Sequence, residues 1–289
     1  MNSADIEAVD VSVLIPTIGR PEPLEACLRS LEACRPRARE IVVVDQSGGE
    51  AVADVVGRFA HIGARLIPMP ERGVARARNR GLQEVRHEII LLTDDDCIVD
   101  SSWVGLSHEL AAGDPGAIFT GRVLPCPGAD GHVVSTRTDE EPRDFTGEPH
   151  AGAIYTNNAV VPRAGAVAIG GFDERFENAS DNDFGYRWLV GGRPMRFDPR
   201  LVVWHCDGRT PAEVRRLYWK YGRWQGAFYA KHLLAGDRRV LRFLRWDLDF
   251  LVRTLWQRFV RRRDVPVTPA LLPVLGLPLG LWEARRFRR

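Results

Sequence analysis

Short, largely apolar runs alternate with segments of helical spacing over the first hundred residues. The runs are typical of strands buried on both faces, and they lie at residues 11–15, 41–44, 64–67 and 89–92. The segments between them place apolar residues at three- and four-residue steps, and they lie near residues 23–34, 51–59 and 73–84. This alternation predicts an α/β fold with a parallel sheet and helices on both of its faces.

The pattern changes after residue 116. Further strands are expected at residues 117–125, 155–161 and 201–205. Residues 126–150 are rich in Gly, Pro, Asp and Glu with little periodicity, so they predict a long loop. Long loops inside compact domains are often lids or binding loops, and we expect this one to close the site or face an acceptor.

Polar side chains end several of the predicted strands. Thr17, Asp45 and Asp94 each follow an apolar run, and ligands of parallel sheets bind at the carboxyl ends of the strands. Asp94, Asp95 and Asp96 are adjacent carboxylates that repel one another unless a cation lies between them. Oxygen ligands of this kind suit Mg²⁺ or Mn²⁺. The alternative is a solvated acidic loop that caps the next helix.

Composition separates the chain into two parts. The net charge of +2 combines a net of −10 over residues 1–210 with +12 over residues 211–289, so we expect a catalytic domain followed by a basic extension. Five cysteines without a CxxC pair indicate neither a disulfide framework nor a zinc site. Together with a polar N-terminus, they favour the cytosol. The motifs of P-loop, dinucleotide-binding, serine-hydrolase and zincin sites do not occur in the sequence.

Four successive segments resemble the signatures of family 2 glycosyltransferases, which have the GT-A fold. They are residues 13–17 (Val-Leu-Ile-Pro-Thr), 41–47 (Ile-Val-Val-Val-Asp-Gln-Ser), 72–81 (Arg-Gly-Val-Ala-Arg-Ala-Arg-Asn-Arg-Gly) and 93–96 (Thr-Asp-Asp-Asp). The similarity continues to about residue 205, through 170–176 and 181–187. The resemblance therefore implies a GT-A (Rossmann-like) domain over residues 1–210 that uses a nucleotide-sugar donor.

The resemblance also implies roles for single residues. Pro16, Thr17 and Asp45 would hold the nucleotide base, Asp94 and Asp95 the ribose or sugar, and Asn157 the donor sugar. Asp96 would bind the divalent metal, with Asp94 close by and His205 as a third ligand. A structural role for His205 is an equally good alternative, and Asn157 could simply satisfy a turn.

Asp181 corresponds to the general base of the family. A sugar hydroxyl is a poor nucleophile, so a carboxylate within hydrogen-bond reach must take its proton. Ser180 stands where the family commonly has Glu. The alternative is that Asp181 and Asp183 only open the following helix. Arg76 and Arg80 share a helix face and would add charge near the phosphates, unless that face is merely solvated.

The basic extension combines arginine with tryptophan at helical spacing. Such helices suit an anionic membrane surface, although they could instead cover the catalytic domain or a second subunit. Residues 265–282 carry no charge but contain four prolines, so we expect a re-entrant or interface-lying segment rather than a span. No known nucleic-acid-binding module appears in the sequence, and we expect no such partner.

The sequence therefore predicts a metal-dependent, inverting glycosyltransferase. Its donor would be a UDP-, GDP- or dTDP-sugar, its group a hexose or deoxyhexose, and its acceptor a glycan or a lipid-linked glycan of the cell envelope. We expect it at the inner face of the plasma membrane. The alternatives are a nucleotidyltransferase and a non-catalytic, membrane-attached scaffold.

Overall fold

The computed structural model describes residues 7–128, 131–148, 152–263 and 267–284. The strands are β1 (Ala8–Thr17), β2 (Arg37–Asp45), β3 (Ala64–Pro68), β4 (Ile89–Leu92), β5 (Cys97–Val99), β6 (Ile118–Pro125), β7 (His132–Val133), β8 (Arg143–Asp144), β9 (Ala159–Pro162), β10 (Met195–His205) and β11 (Gly208–Arg209). The helices are α1 (Pro21–Ala33), α2 (Glu50–Arg58), α3 (Val74–Glu84), α4 (Trp103–Gly113), α5 (Arg163–Ala168), α6 (Ser180–Val190), α7 (Pro211–Leu234), α8 (Leu241–Leu255) and α9 (Thr268–Glu283).

One curled sheet organises the molecule, in the order β3-β2-β1-β4-β9-β6-β10-β5, with β8 paired to β10. The strands β3, β2, β1 and β4 are parallel, as the sequence predicts. Strand β9 runs antiparallel to both β4 and β6, and β5 runs antiparallel to β10. The sheet is therefore mixed beyond β4. The α/β prediction is confirmed, but the direction of the later strands was not apparent from their composition.

Alternate residues of the central strands face two separate cores. On β1, Val13 and Ile15 pack into the core beneath α1 and α4, whereas Leu14 packs into the core on the side of α3 and α6. Since side chains alternate along a strand, a sheet covered on both faces needs apolar residues at successive positions. This is why the strands read as continuous apolar runs.

A third cluster joins α6 to the C-terminal helices. Phe176 and Tyr186 are fully buried against Trp224 and Phe228 of α7 and Phe243 of α8. The rings of Tyr186 and Phe228 meet edge to face, with centroids 5.4 Å apart. Aromatic pairs of this geometry add to the free energy of simple apolar burial. The C-terminal helices therefore pack directly on the α/β core.

Helices α7 and α9 approach each other through glycines. A Cβ atom added to Gly280 would lie 2.2 Å from a backbone atom of Gly226, and one added to Gly276 would lie 2.6 Å from a backbone atom of Gly222 or Arg223. Only glycine permits this contact between backbones. One face of α9 is thus covered by α7, while the re-entrant or interface-lying placement expected for this segment stays a prediction.

The four prolines were expected to interrupt residues 265–282, but α9 is continuous through Pro273 and Pro278. Val265 and Pro266 lie outside the described residues. Within the part of the chain that the structure describes, every helix is too short or too polar to cross a membrane.

The loop expected over residues 126–150 contains two short strands where it is described. Strand β7 pairs with β11, and β8 pairs with β10. Cys126 and Cys206 form a disulfide at the base of this loop, where β6 and β10 end. The expectation that the cysteines stay unpaired is therefore wrong for these two, because the parallel pairing of β6 with β10 brings distant positions together. Cys27, Cys34 and Cys97 remain free and buried.

Candidate active site

The ends of β1, β2 and β4 meet at one edge of the sheet. The register places Thr17 opposite Asp45, and the N–H of Thr93 donates to the carbonyl of Leu14. The chain leaves β4 in a turn over residues 94–96. The carboxyl ends of these neighbouring strands therefore bring Thr17, Asp45 and the acidic run to the same place, as expected.

Asp95 is the most enclosed carboxylate of the acidic run, with no exposed surface. Its Oδ2 accepts a hydrogen bond of 2.5 Å from the Thr17 hydroxyl. The Arg20 guanidinium forms an ion pair with the same carboxylate. Burial raises the pKa of Asp95 to about 6, against the opposing effects of Arg20 and Thr17. A buried carboxylate costs free energy unless it is paired, and here Thr17 and Arg20 supply the partners.

Asp96 lies between Arg20 and His205. Its Oδ2 accepts from Arg20 at 2.8 Å, and its Oδ1 is 3.3 Å from His205 Nε2. Burial alone would raise the pKa of Asp96, but His205 and Arg20 outweigh it and lower that pKa to about 2. Asp96 is thus an anion at neutral pH, held at the edge of the cleft with 9% of its surface exposed.

The tautomer of His205 is set by the backbone. Its Nδ1 lies 2.8 Å from the carbonyl of Val134, and a carbonyl can only accept, so Nδ1 carries a proton. Burial lowers the pKa of His205, but Asp96 outweighs burial and raises it. In the neutral ring Nε2 is free to bind a metal, and a backbone partner on the other nitrogen is the usual support of a metal-ligating histidine.

Asp96 and His205 fit a divalent cation. Neighbouring ligands of an octahedral Mg²⁺ or Mn²⁺ are about 3 Å apart, and Asp96 Oδ1 and His205 Nε2 are 3.3 Å apart. Cys97 is close to both, but burial raises the pKa of its thiol, so it stays protonated. Thiols are also poor ligands for these oxygen-preferring ions. Asp96 and His205 therefore lie at the spacing of a metal-binding pair, with Asp94 in the same turn and the Cys97 thiol nearby.

Asp94 pairs with an arginine that the sequence did not single out. Arg78 is 5% exposed, and its guanidinium lies 3.0 Å from Asp94 Oδ1. Arg76 and Arg80, which were expected near the phosphates, instead pair with Glu174 and Glu84. Position 78 lies on a different face of α3 from positions 76 and 80. The positive charge that α3 places next to the acidic run is therefore that of Arg78, on the buried face of the helix.

The remaining donor-side residues lie beside this cluster. Pro16 pairs with Val44 in the sheet. Asp45 is 1% exposed and accepts from the backbone N–H and the hydroxyl of Ser47. Asn157 is tied to the end of β4 because the Thr93 hydroxyl donates to its carbonyl. Its own Oδ1 is buried without a hydrogen-bond partner among the described residues. An unsatisfied buried amide oxygen is costly, so a water molecule or a ligand hydroxyl is needed to satisfy it.

Asp181 lies in the first turn of α6 and is partly exposed. Burial raises its pKa, Arg78 opposes this effect, and the charge of Asp94 adds to it. Asp181 thus lies within electrostatic range of Arg78 and Asp94, and α6 packs in the same core as α3. Its role as the general base stays a prediction. Among the described residues its carboxylate accepts only from the neighbouring N–H of Asn182. It is thus available to a proton on a bound molecule.

Asp183 has a role that sequence reasoning missed. Ala179 is the residue that precedes α6, so Asp183 lies inside the helix and does not cap it. It is fully buried and accepts from Lys231 Nζ at 2.5 Å, His232 Nε2 at 2.9 Å and Arg187 Nε at 2.7 Å. Lys231 and His232 belong to α7. Asp183 therefore anchors the helix that carries Asp181 to the C-terminal extension.

Arg20 and Arg78 are the site residues that the sequence analysis overlooked. Arg20 follows the recognised segment 13–17 and lies directly before α1, and Arg78 lies inside the recognised segment 72–81, on α3. In this chain 38 of the 40 basic residues are arginine, so residue type alone does not distinguish an arginine of the site from one on the surface. The position of Arg20, three residues after Thr17, was the available signal. Their guanidinium groups contact the acidic run, whereas the divalent metal expected there stays a prediction.

Comparison with known proteins agrees with this geometry. Residues 12–166 match the sequence profile described as Glycosyl transferase family 2. A pre-mycofactocin glycosyltransferase of Mycobacterium tuberculosis is 29% identical over 214 residues, which cover 70% of this chain and 43% of that protein. The chain thus spans less than half the length of this relative. The amylovoran biosynthesis glycosyltransferase AmsE of Erwinia amylovora is 26% identical over 241 residues, covering 82% of this chain and 88% of that protein.

A solved structure shows the same fold. The mannosyltransferase PcManGT from Pyrobaculum calidifontis, in complex with GDP-Man and Mn²⁺, aligns with a TM-score of 0.60 at 19% identity. The alignment covers 96% of this chain and 73% of that one. At this identity the likeness supports the fold and carries no residue roles.

Proposed function

This chain belongs to glycosyl transferase family 2, and we propose that it is an inverting, metal-dependent glycosyltransferase. It moves a hexosyl or deoxyhexosyl group from a nucleoside diphosphate sugar to a hydroxyl acceptor. Residues 1–210 supply the donor and metal side chains, and residues 211–289 form the extension. The observation that supports the proposal is the contact of Thr17 with Asp95, and of Asp96 with His205, at the carboxyl ends of β1 and β4.

The donor lies along the ends of β1, β2 and β4. Pro16, Thr17 and Asp45 hold the base, and Asp94 contacts the ribose or the sugar. Asp95, expected to share that contact, is fully buried and instead holds Thr17 and Arg20. The unpartnered Oδ1 of Asn157 accepts from a hydroxyl of the donor sugar. A sugar hydroxyl that donates to this acceptor strengthens the binding of the correct sugar, because an analogue without the hydroxyl leaves the acceptor unpaired.

Asp181 acts as the general base. It takes the proton of the acceptor hydroxyl as that oxygen forms a bond to the anomeric carbon from the side opposite the leaving group. The bond between the anomeric carbon and the diphosphate oxygen breaks in the same step, and the nucleoside diphosphate leaves with the bonding pair. Burial raises the pKa of Asp181, which makes its carboxylate a stronger base than an exposed one.

Asp96 and His205, with Asp94, hold a Mg²⁺ or Mn²⁺ ion. When bound, the ion neutralises the negative charge that the diphosphate gains as it leaves. Arg20 pairs with Asp95 and Asp96, so it holds these carboxylates in place. The Nδ1 proton of His205 donates to the Val134 carbonyl and orients Nε2 toward Asp96.

The acceptor is proposed to be a glycan or a lipid-linked glycan of the cell envelope, handled at the inner face of the plasma membrane. The mycobacterial and Erwinia relatives are named for two different glycosylation reactions, so their names do not select one acceptor for this chain. The loop over residues 131–148, tied to β10 and β11, would form the acceptor side of the cleft.

The test is a screen of UDP-, GDP- and dTDP-sugars for turnover by the purified chain with Mn²⁺. Release of a nucleoside diphosphate supports the proposal, whereas release of pyrophosphate indicates a nucleotidyltransferase. Asp181→Asn should abolish transfer, and Asp54→Asn, at an exposed position on α2, should leave it unchanged. Full activity of folded Asp181→Asn refutes the base assignment. A chain that no nucleotide stabilises thermally in the presence of Mn²⁺ would be a scaffold.

A further inference from the structure

The exposed apolar surface of this protein is concentrated in its C-terminal helices. Among the described residues, fourteen of the sixteen exposed large apolar side chains lie between residues 211 and 284. Phe259 is 71% exposed, Val260 65% and Val252 64%. Single exposed apolar residues are common on soluble proteins, but a concentration of this size marks an interaction surface.

Helix α8 and the turn that follows it show an apolar stripe on their outward side. Leu241, Leu248 and Val252 are separated by seven and four residues, which places them on one line along α8, and the exposed Phe259 lies in the π-helical turn Trp256–Val260 that follows. Phe243 and Thr254 are buried on the opposite side, against the rest of the protein. An ordinary surface helix has the reverse arrangement, with its apolar side inward and its polar side outward.

Arginines flank this stripe. Arg242, Arg245 and Arg253 are exposed beside it. Residues 238–263 contain nine arginines and two aspartates, a net charge of +7. One of these aspartates, Asp247, accepts a hydrogen bond from the Tyr229 hydroxyl and faces the protein. The other, Asp249, is exposed and lies 3.9 Å from Arg245, but the arginines outnumber it, so the outward surface is both apolar and positive.

Aromatic rings lie among the same charges. The Arg261 guanidinium lies 4.2 Å from the centroid of the Trp256 ring, and Trp246 stacks on Phe250 with centroids 5.8 Å apart. Tryptophan and arginine are enriched where an apolar phase meets polar headgroups, because each has an apolar body and a polar end.

We propose that the outward side of α8 and of the π-helical turn after it, the docking face (Leu241, Leu248, Val252 and Phe259 with Arg242, Arg245 and Arg253), binds the surface of an anionic lipid bilayer. The apolar stripe enters the boundary between headgroups and acyl chains, and the arginines contact the headgroups. Net positive charge opposes a second copy of this chain, which would bring +7 against +7 at the same face. Nucleic acid would satisfy the arginines but leave the apolar stripe in water.

The packing of α8 suits this role. Tyr186 and Phe228 contact the buried Phe243 ring, so the helix is held on the protein by its own inward side. Docking therefore needs no rearrangement of α8. The inference deepens the proposed location of the enzyme, but vesicle binding needs neither donor nor metal, so docking and transfer can each fail alone.

The experiment is co-flotation of the full chain with vesicles of phosphatidylcholine, with and without phosphatidylglycerol. We expect binding only to the anionic vesicles, weakened by salt. Replacing Arg242, Arg245 and Arg253 together by Gln should weaken it by roughly a hundredfold, about fivefold for each residue. The matched control replaces Arg29, Arg39 and Arg58 of the catalytic domain, all exposed, and should bind normally.

The apolar half of the docking face needs its own variant. Val252→Ser should reduce vesicle binding severalfold, whereas Val167→Ser on α5, 56% exposed, should not. All variants replace exposed side chains, and thermal melting checks that they fold. Failure to bind anionic vesicles, equal binding to neutral ones, or equal loss in the control variants overturns the proposal. The proposal is also overturned if the protein does not bind vesicles but forms a dimer or binds RNA, and the Val252 and arginine variants disrupt that association.

Discussion

Asp183→Asn removes the charge at the junction between α6 and the C-terminal extension. The carboxylate is fully buried and accepts from Lys231, His232 and Arg187. Asparagine keeps the shape but offers one acceptor oxygen and no charge. Breaking a buried ion pair by removing one partner costs about 3–5 kcal/mol. Here Lys231 keeps Asp173 at 2.8 Å, and Arg187 also donates to two backbone carbonyls. The cations are therefore not left unpaired.

We accordingly expect the free energy of unfolding to fall by about 3 kcal/mol, the lower end of that range. The assay is equilibrium unfolding in urea, read as a lower midpoint at unchanged slope. Asp198→Asn is the control, because Asp198 pairs with Arg200 at the surface and such pairs are worth about 1 kcal/mol or less.

The same substitution predicts a pH dependence. Lys231, His232 and Arg187 hold the pKa of Asp183 well below its ordinary value despite burial. A depressed folded pKa stabilises the fold above the unfolded pKa of about 4 and loses that effect as the pH falls toward the folded pKa. The stability gap between wild type and Asp183→Asn should thus be full at neutral pH and shrink below about pH 4. A gap no larger than that of Asp198→Asn, or one that is constant with pH, would refute the reasoning.

Three further outcomes follow from the structure. Gly280→Ala should destabilise the protein by about 1–3 kcal/mol, because the added Cβ would meet the backbone of α7. Gly113→Ala, which has open space around it, should not, and equal melting temperatures of the two variants would contradict the packing. Asp96→Asn should raise the Mn²⁺ concentration that gives half-maximal thermal stabilisation with nucleotide, and an unchanged value would remove Asp96 from the metal site. Reduction of the Cys126–Cys206 bridge, which closes 80 residues of chain, should cost up to about 4 kcal/mol, measured by melting with and without reductant; a double Ser variant that melts like the oxidised protein would exclude the bridge.

The first half of the fold was predictable because its signals are local. Strands β1 to β4 are apolar on both faces, and each is followed by a helix, so period and order sufficed. Strand β9 returns after the loop over residues 126–150, and nothing in its four residues encodes an antiparallel direction. The continuity of α9 was also not apparent from residue type. Prolines break isolated helices, but the glycine contacts with α7 compensate here.

The candidate site, like the fold, was only partly predictable from the sequence. The polar strand ends identified the edge of the sheet, because their placement follows from topology. The partners of those carboxylates did not follow, since Arg20 and Arg78 contact them through turns and helix faces that only the folded chain defines. Asp183 is the sharpest case: its spacing fits a helix cap, but its partners Lys231 and His232 lie nearly fifty residues away.

The attachment of Asp183 and Asn182 to α7 has a consequence for shorter versions of this protein. Asn182 donates to Gln225, so both residues after Asp181 depend on the final third of the chain. In a fragment that ends at residue 210, Asp183 would lose its partners Lys231 and His232. The rings of Phe176 and Tyr186 would lose their packing against Trp224. In the proposed mechanism, exchanging the C-terminal helices between relatives would therefore also change the support of Asp181, the proposed base.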